Sequence, residues 1–306
     1  MTILSGVFPI VPTPFRDDGS PDRDDLARAV DYIVRAGADG VVFPGVASEF
    51  DQLQGGERAE LAEAVARANA GRAKLVIGVS AATVDASVAH ARQARALGAS
   101  AVMAMNPPAL KDVPDGIEGY YRAVAAEGVP VILQNAPPPL GSALPMARIA
   151  KIVGAIPGVS YVKEEALPAG QRISELLALK PPGLSGVFGG AGGRYITDEL
   201  ARGACGTMPA AELTELHAAM FVRHRAGDAA GVRALYNRML PLLNFQAVFR
   251  MAMTKEVLRR RGVIASTHVR APGPKLDPGD HRELDAMLAE LADILPPKAA
   301  LPGRTA

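Results

Sequence analysis

Tryptophan is absent from this 306-residue chain, and cysteine occurs once, at position 205. With small residues dominating and no tryptophan, a base-stacking surface for nucleic acid has little to be built from. A lone Cys205 excludes an intrachain disulfide and points to a reducing, cytoplasmic setting. Neither sign of charge dominates: 33 basic against 32 acidic residues leave +1, which gives no electrostatic basis for a nucleic-acid or anionic-membrane partner. Uncharged apolar runs of about 18 residues or more are lacking, so no segment is expected to span a bilayer. The opening stretch, MTILSGVFPIVPTPF, has no basic residues ahead of a long apolar run, which speaks against a signal peptide. Apolar bulk is plentiful, at 49% hydrophobic residues, enough for a sizeable core. Length alone suggests two domains, yet a single α/β barrel reaches this size.

Short apolar runs recur along the chain: 6–15, 40–45, 74–81, 100–107, 129–137, 159–165, 184–190 and 206–211. Ala-rich helical patterns separate them, over 23–36, 56–70, 83–97, 117–127, 145–156 and 170–179, with Gly just past an end in Ala36-Gly37 and Leu97-Gly98. Near-continuous apolar strands alternating with helices imply a parallel sheet covered on both faces. Eight such units predict a (β/α)8 TIM barrel over residues 1–211, with its chemistry at the carboxyl ends of the strands. Beyond it, residues 212–306 read as a C-terminal helical extension, with helices at 212–226, 228–242, 245–261 and 280–294. The Pro-rich piece 269–278 reads as a rigid connector and 296–306 as a loose end.

Of eight lysines, only Lys163 falls at the carboxyl end of a predicted strand, in "GVSYVKEEAL". An ammonium there is costly to bury unless something uses it. It either points to solvent or serves as an amine nucleophile for a carbonyl carbon. Side chains at i and i+2 share a strand face, so Glu165 points with Lys163, about 6.6 Å along the strand. Glu164 then points outward, toward a helix or solvent. Tyr161 shares the face of Lys163 and reads as a barrel-layer filler. Gly189-Gly190 with Gly192-Gly193 superficially suggest a phosphate loop, but the P-loop lysine and spacing are missing. His90, His217, His224, His268 and His281 show no metal-ligand spacing and read as surface or packing residues, so no metal is expected.

Five landmarks, in order, resemble the dihydrodipicolinate synthase / N-acetylneuraminate lyase superfamily. They are PTPF (12–15), GVASEF (45–50) in place of G-T-T-G-E, LQNAP (133–137) in place of L-Y-N-V-P, VKEE (162–165), and Gly189-Gly190. The resemblance spans nearly the whole chain. It implies that Lys163 forms a Schiff base with a small 2-oxo acid and that no cofactor is needed beyond that imine. It also implies a homo-oligomer, tetramer or dimer, with the helical tail as assembly surface. The departures narrow the reaction. The family's proton-relay tyrosine is replaced by Gln134 and its relay threonine by Val46, 106–110 (NPPAL) holds no tyrosine, and the synthases' carboxylate-clamping arginine would fall at Pro139. Neither glutamine nor valine has a titratable proton. Together with Glu165, Ser48 and the string GVIASTHVRAPGPKL (262–276), these features resemble the 2-keto-3-deoxy-L-arabonate dehydratases, which yield 2-oxoglutarate semialdehyde.

On that resemblance Lys163 condenses with the C2 ketone, while Glu165 removes a C3 proton and helps the C4 hydroxyl to leave, with Ser48 assisting. Ala47, Ser48 and the glycines Gly189 and Gly190 would hold the carboxylate, Gln134 would position the substrate, and Met208 joins the substrate-binding set. Ser48 is equally readable as a turn-bonding residue, and Gln134 as a space filler. Three alternatives stay open: a pyruvate-type aldolase or synthase, a deaminase of a cyclic imino acid giving the same semialdehyde, and a non-catalytic sensor, against which the retention of Lys163 speaks.

Overall fold

The computed structural model describes residues 3–295. The loose end expected at 296–306 lies outside the described residues. All eight apolar runs contain a strand: β1 Gly6–Val7, β2 Gly40–Phe43, β3 Lys74–Gly78, β4 Ala101–Met105, β5 Val131–Asn135, β6 Val159–Glu164, β7 Gly186–Gly189 and β8 Gly206–Thr207. Helices follow each: α1 Arg23–Arg35, α2 Glu57–Asn69, α3 Val84–Ala96, α4 Gly116–Ala125, α5 Met146–Ala155, α6 Ala169–Leu179, α7 Ile196–Ala201 and α8 Thr214–Arg225. Three more follow among the described residues: α9 Ala229–Phe249, α10 Met251–Arg260 and α11 Pro278–Ala289. The sheet order is β1-β8-β7-β6-β5-β4-β3-β2, and single parallel bridges from Ile10 to Val42 and to Ala210 join its ends. The fold is a (β/α)8 TIM barrel with additional C-terminal helices.

The terminal strands are shorter than the apolar runs that contain them. In FPIVPTPF, prolines 9, 12 and 14 lack the N–H a ladder needs, so only isolated bridges continue past Val7. Pro209 does the same after β8. Helix α7 was not among the expected helices; it has six residues, too few for a periodicity signal. The tail breaks at Arg250 (φ 48°, ψ −121°) and not near 243, because Met239, Leu242 and Leu243 are buried across Pro241 and packing carries α9 through it. Helix α11 begins two residues early at Pro278, capped by Asp277, whose carboxylate accepts the Gly279 and Asp280 N–H groups.

By contacts the described residues form two compact units. The first comprises residues up to Ser5, Lys74–Ala191 and Tyr195–Met208. Its parallel ladder runs from β3 to β8, with one register shift between Val131 and Ile132 against β6, and Val76, Val102, Ile132, Leu133, Val162 and Val187 are fully buried or nearly so. The second comprises Gly6–Ala73, Gly192–Arg194 and the chain from Pro209. There α1 starts at an Asp22 cap, and the buried Arg261 donates to the Tyr32 hydroxyl and the Glu212 carbonyl while pairing with Glu215. That interaction ties the end of α10 to α1 and α8.

Candidate active site

Strand β6 sets the geometry. Its register pairs Lys163 with Gln134 of β5 on one side and with Phe188 of β7 on the other, so these three side chains share a face. Tyr161, one pleat earlier, tilts against Phe188 at 6.0 Å between ring centres, and its hydroxyl accepts the Leu4 N–H. That layer closes the floor beneath Lys163, which is 4% exposed. The Lys163 ammonium lies 3.1 Å from Glu165 Oε1. Glu165 Oε2 accepts the Gln134 amide at 2.6 Å, and Oε1 accepts the Ala191 N–H at 3.3 Å. Burial pushes the Glu165 carboxyl up, but Lys163, Gln134 and the Ala191 N–H outweigh it and hold the group below its ordinary range. Glu165 is therefore a carboxylate, next to the only buried lysine of this unit.

Gly190 makes this arrangement possible. A Cβ there would lie 2.6 Å from both Cγ and Oε1 of Glu165, so any side chain would displace the carboxylate. At Gly189 a Cβ would fall onto the carboxyl group of Glu199, which projects from α7. Glu199 is 1% exposed, and neither of its oxygens completes a hydrogen bond. Burial first, then the nearby charges of Glu165 and Asp198, push it up to about 8, with the Gly190 N–H and Lys163 opposing. It is thus a neutral acid at neutral pH. The Thr207 hydroxyl also lacks a partner, and Thr207 stands beside Gly189 in the β7–β8 register.

On the outer face of β6, Glu164 is buried and turns toward α6, the helix side of the two options that alternation left open. It accepts from Asn135 Nδ2 at 2.8 Å and from the Ala166 N–H at 2.7 Å, and Arg172 Nε stands 3.2 Å away. Asn135 in turn accepts from Asn106 Nδ2 at 3.0 Å, and Asn106 Oδ1 accepts the Tyr121 hydroxyl at 2.6 Å. This network ties together the carboxyl ends of β4, β5 and β6 behind Lys163.

Of the residues singled out in the sequence, the structure therefore brings Lys163, Glu165, Gln134 and Gly190 together, with Gly189 directly behind. Met208 is buried next to β7, its N–H bonded to the Gly189 carbonyl at 3.1 Å. Ala47 and Ser48 belong to the other compact unit, in a 3-10 turn over Val46–Ser48. The Ser48 hydroxyl donates to the Val11 carbonyl at 2.5 Å and accepts the Gly45 N–H at 3.0 Å, so both its capacities are engaged in the turn. His217 is a buried packing residue; burial pulls it down to about 4, and Nδ1 lies 3.0 Å from the Leu213 carbonyl. Among the described residues no group of three or more His, Cys, Asp or Glu side chains is arranged to hold a metal ion, and no helix is long and apolar enough to cross a membrane.

Sequence reasoning missed Glu199 and the Asn106–Asn135–Glu164 network. The asparagines carried a readable signal, since Asn106 directly follows β4 ahead of a proline and Asn135 closes β5 ahead of Ala-Pro. Glu199 had none beyond the bare glycine it faces. A consequence for stability follows from its neutrality. The folded chain keeps the Glu199 proton until pH about 8, whereas an ordinary glutamate loses it near 4.5. Stability contributed by this difference is complete below the lower value and lost as pH rises through the upper one. Melting temperatures of the wild type and Glu199→Gln, measured from pH 5 to 9, are expected to diverge in favour of the variant as the pH rises. Parallel curves would refute a neutral Glu199.

The Dihydrodipicolinate synthetase family matches residues 3–291. An L-2-keto-3-deoxyarabonate dehydratase of Azospirillum brasilense is 32% identical over 295 residues, covering 95% of each chain. An Escherichia coli K12 protein described as a "probable 2-dehydro-3-deoxy-D-pentonate aldolase" is 28% identical over 246 residues, covering 79% of this chain and 81% of that one. Among solved structures, a dihydrodipicolinate synthase from Rhodopseudomonas palustris superposes with a TM-score of 0.85 at 29% identity, covering 94% of this chain and 98% of that one. The family match spans nearly all the described residues, and the barrel superposes on a solved member of it: the chain is a lyase of the dihydrodipicolinate synthetase family.

Proposed function

We propose that the chain dehydrates a small 3-deoxy-2-oxo sugar acid, 2-keto-3-deoxy-L-arabonate, to 2-oxoglutarate semialdehyde through an imine on Lys163. The observation that carries this reading is the buried Lys163–Glu165 pair, with Gln134 holding the carboxylate where the family's relay tyrosine would stand. The full-length similarity to the Azospirillum dehydratase supports the choice of substrate. The catalytic barrel is taken as residues 1–211, and the assembly as a tetramer or dimer.

Glu165 accepts the proton that frees the Lys163 amine, which adds to C2; loss of water from the carbinolamine gives the iminium. The iminium is an electron sink and acidifies C3. Glu165 removes a C3 proton, and the resulting enamine expels the C4 hydroxyl as water, protonated by Glu165; the Ser48 hydroxyl, committed to Val11 and Gly45, is not assigned a proton-transfer role. The conjugated iminium then loses a C5 proton to give a dienamine that is an enol at C5; protonation at C3 and C4, with loss of the enol O–H proton, turns the C5 alcohol into an aldehyde. Hydrolysis releases the product, so the net change is loss of one water. Gly189, Gly190 and Met208 shape the carboxylate subsite beside Lys163, and the loop of Ala47 and Ser48 is assigned to substrate binding on the family resemblance. Cleavage of C3–C4 would instead need a base at the C4 hydroxyl, and Gln134 has no proton to exchange.

The E. coli relative supports an aldolase as the second reading. Incubation with the candidate acid separates them. Semialdehyde without pyruvate is the expected result; pyruvate release would replace dehydration by aldol cleavage, and ammonia from a cyclic imino acid would replace it by deamination.

A further inference from the structure

Three stretches quoted for their resemblance, PTPF, GVASEF and GVIASTHVRAPGPKL, converge on one buried ion pair outside the proposed chemistry. Glu49 lies between two 3-10 turns, Val46–Ser48 and Phe50–Gln52, at φ 55° and ψ 44°, a left-handed conformation that a glutamate does not favour. Its side chain is 1% exposed. Oε1 accepts from Lys255 Nζ at 2.6 Å, while Oε2 accepts the backbone N–H groups of Arg270 and Ala271 at 2.8 and 2.7 Å. Lys255, on α10, is wholly buried, donates also to the His268 carbonyl at 2.7 Å, and stands 4.4 Å from the centre of the Phe15 ring. Burial lowers it to about 8 against the opposing pull of Glu49. The Arg270 guanidinium lies 4.3 Å from the same ring and grips Glu57 in a bidentate pair and the Gly19 and Gln52 carbonyls.

A buried ion pair is a poor source of stability, since desolvation cancels much of the attraction and neutral isosteres often do as well. Its better-supported use is to select one conformation. The conformation selected here is that of the 45–50 loop, held in an unfavourable turn immediately next to Ala47 and Ser48. We propose that Glu49 and Lys255 are positioning residues: the segment after α10 straps the loop that carries Ala47 and Ser48 into its substrate-binding shape. This inference rests on the imine reading for its substrate, and deepens it by giving the 45–50 loop, which that reading assigns to substrate binding, a scaffold in the C-terminal segment.

The test separates fold from position. Breaking the pair with E49Q or K255M alone leaves one buried group unmatched, and both single variants are expected to melt at lower temperature. The double variant E49Q/K255M removes both charges at similar volume and is expected to recover most of the melting temperature. Positioning predicts that the double variant still needs about tenfold more pyruvate for half-maximal borohydride trapping, the equivalent of about 1.4 kcal/mol, with the same trapped maximum. It also predicts faster amide exchange at 45–52 in the double variant without ligand. That second readout stands even if the wild type traps no 2-oxo acid, which would overturn the imine reading and not the strap. Wild-type exchange across 45–52 in the refolded double variant would overturn the strap, as would wild-type half-saturation where trapping occurs.

Discussion

Lys163→Ala is expected to end borohydride-dependent mass gain with any 2-oxo acid, and to lower turnover by about 10⁴-fold or more, the scale of losing a covalent nucleophile. Lys163 is the one lysine of the first compact unit that is buried; the others in that unit, Lys74, Lys111, Lys151 and Lys180, are exposed. Among the described residues no second lysine pairs with the Glu165 carboxylate to take over. The substitution also removes the cation that offsets burial of Glu165, so a modest fall in melting temperature should accompany the loss. Intact-mass spectrometry after reduction with pyruvate gives the answer directly. Mass gain persisting in the variant would move the imine to another residue and end the proposed mechanism.

Glu165→Gln is expected to part trapping from turnover. An amide keeps the shape and can still meet Gln134, but it neither takes the C3 proton nor returns one to the leaving hydroxyl. General acid–base assistance is typically worth 10²–10⁴-fold, and a loss of about that size in turnover is expected. Imine formation with an unreactive 2-oxo acid should survive, because the amine itself is untouched, though its onset should be slower without the adjacent proton acceptor. Progress curves for semialdehyde beside a trapping time course would test this. Full turnover in the variant would remove Glu165 from the chemistry; loss of trapping and turnover together would make it a partner of Lys163 alone.

The strands and the lysine were legible because both rest on local rules. Eight apolar runs were visible without any tertiary knowledge, and the two-residue period of a strand was enough to place Glu165 with Lys163 and Glu164 behind it. The terminal strands were overread because apolar character persists through prolines that a hydrogen-bond ladder cannot. Helix α7 was too short to show a period, and α9 outran its expected end because burial of Leu242 and Leu243 overrode Pro241. Glu199 and the Glu49–Lys255 pair were invisible for another reason. Glu49 and Lys255 are 206 positions apart in sequence, and nothing local marks a charged side chain for burial when its partner is that distant. Ser48 shows the converse: its place in the loop was readable, but only the structure reveals that its hydroxyl is already engaged by Val11 and Gly45.

The two bare positions at the end of β7 carry a consequence for how this barrel can change. One methyl group at 190 would meet the base, and one at 189 would meet the hidden acid behind it. A saturation library across the seventh strand should therefore reject even alanine at this two-residue notch, whereas the buried Val187 and Phe188 before it should still accept other apolar side chains. Drift toward new substrates would then have to come through the other strand ends, leaving this notch as the fixed point around which the rest of the mouth is rewritten.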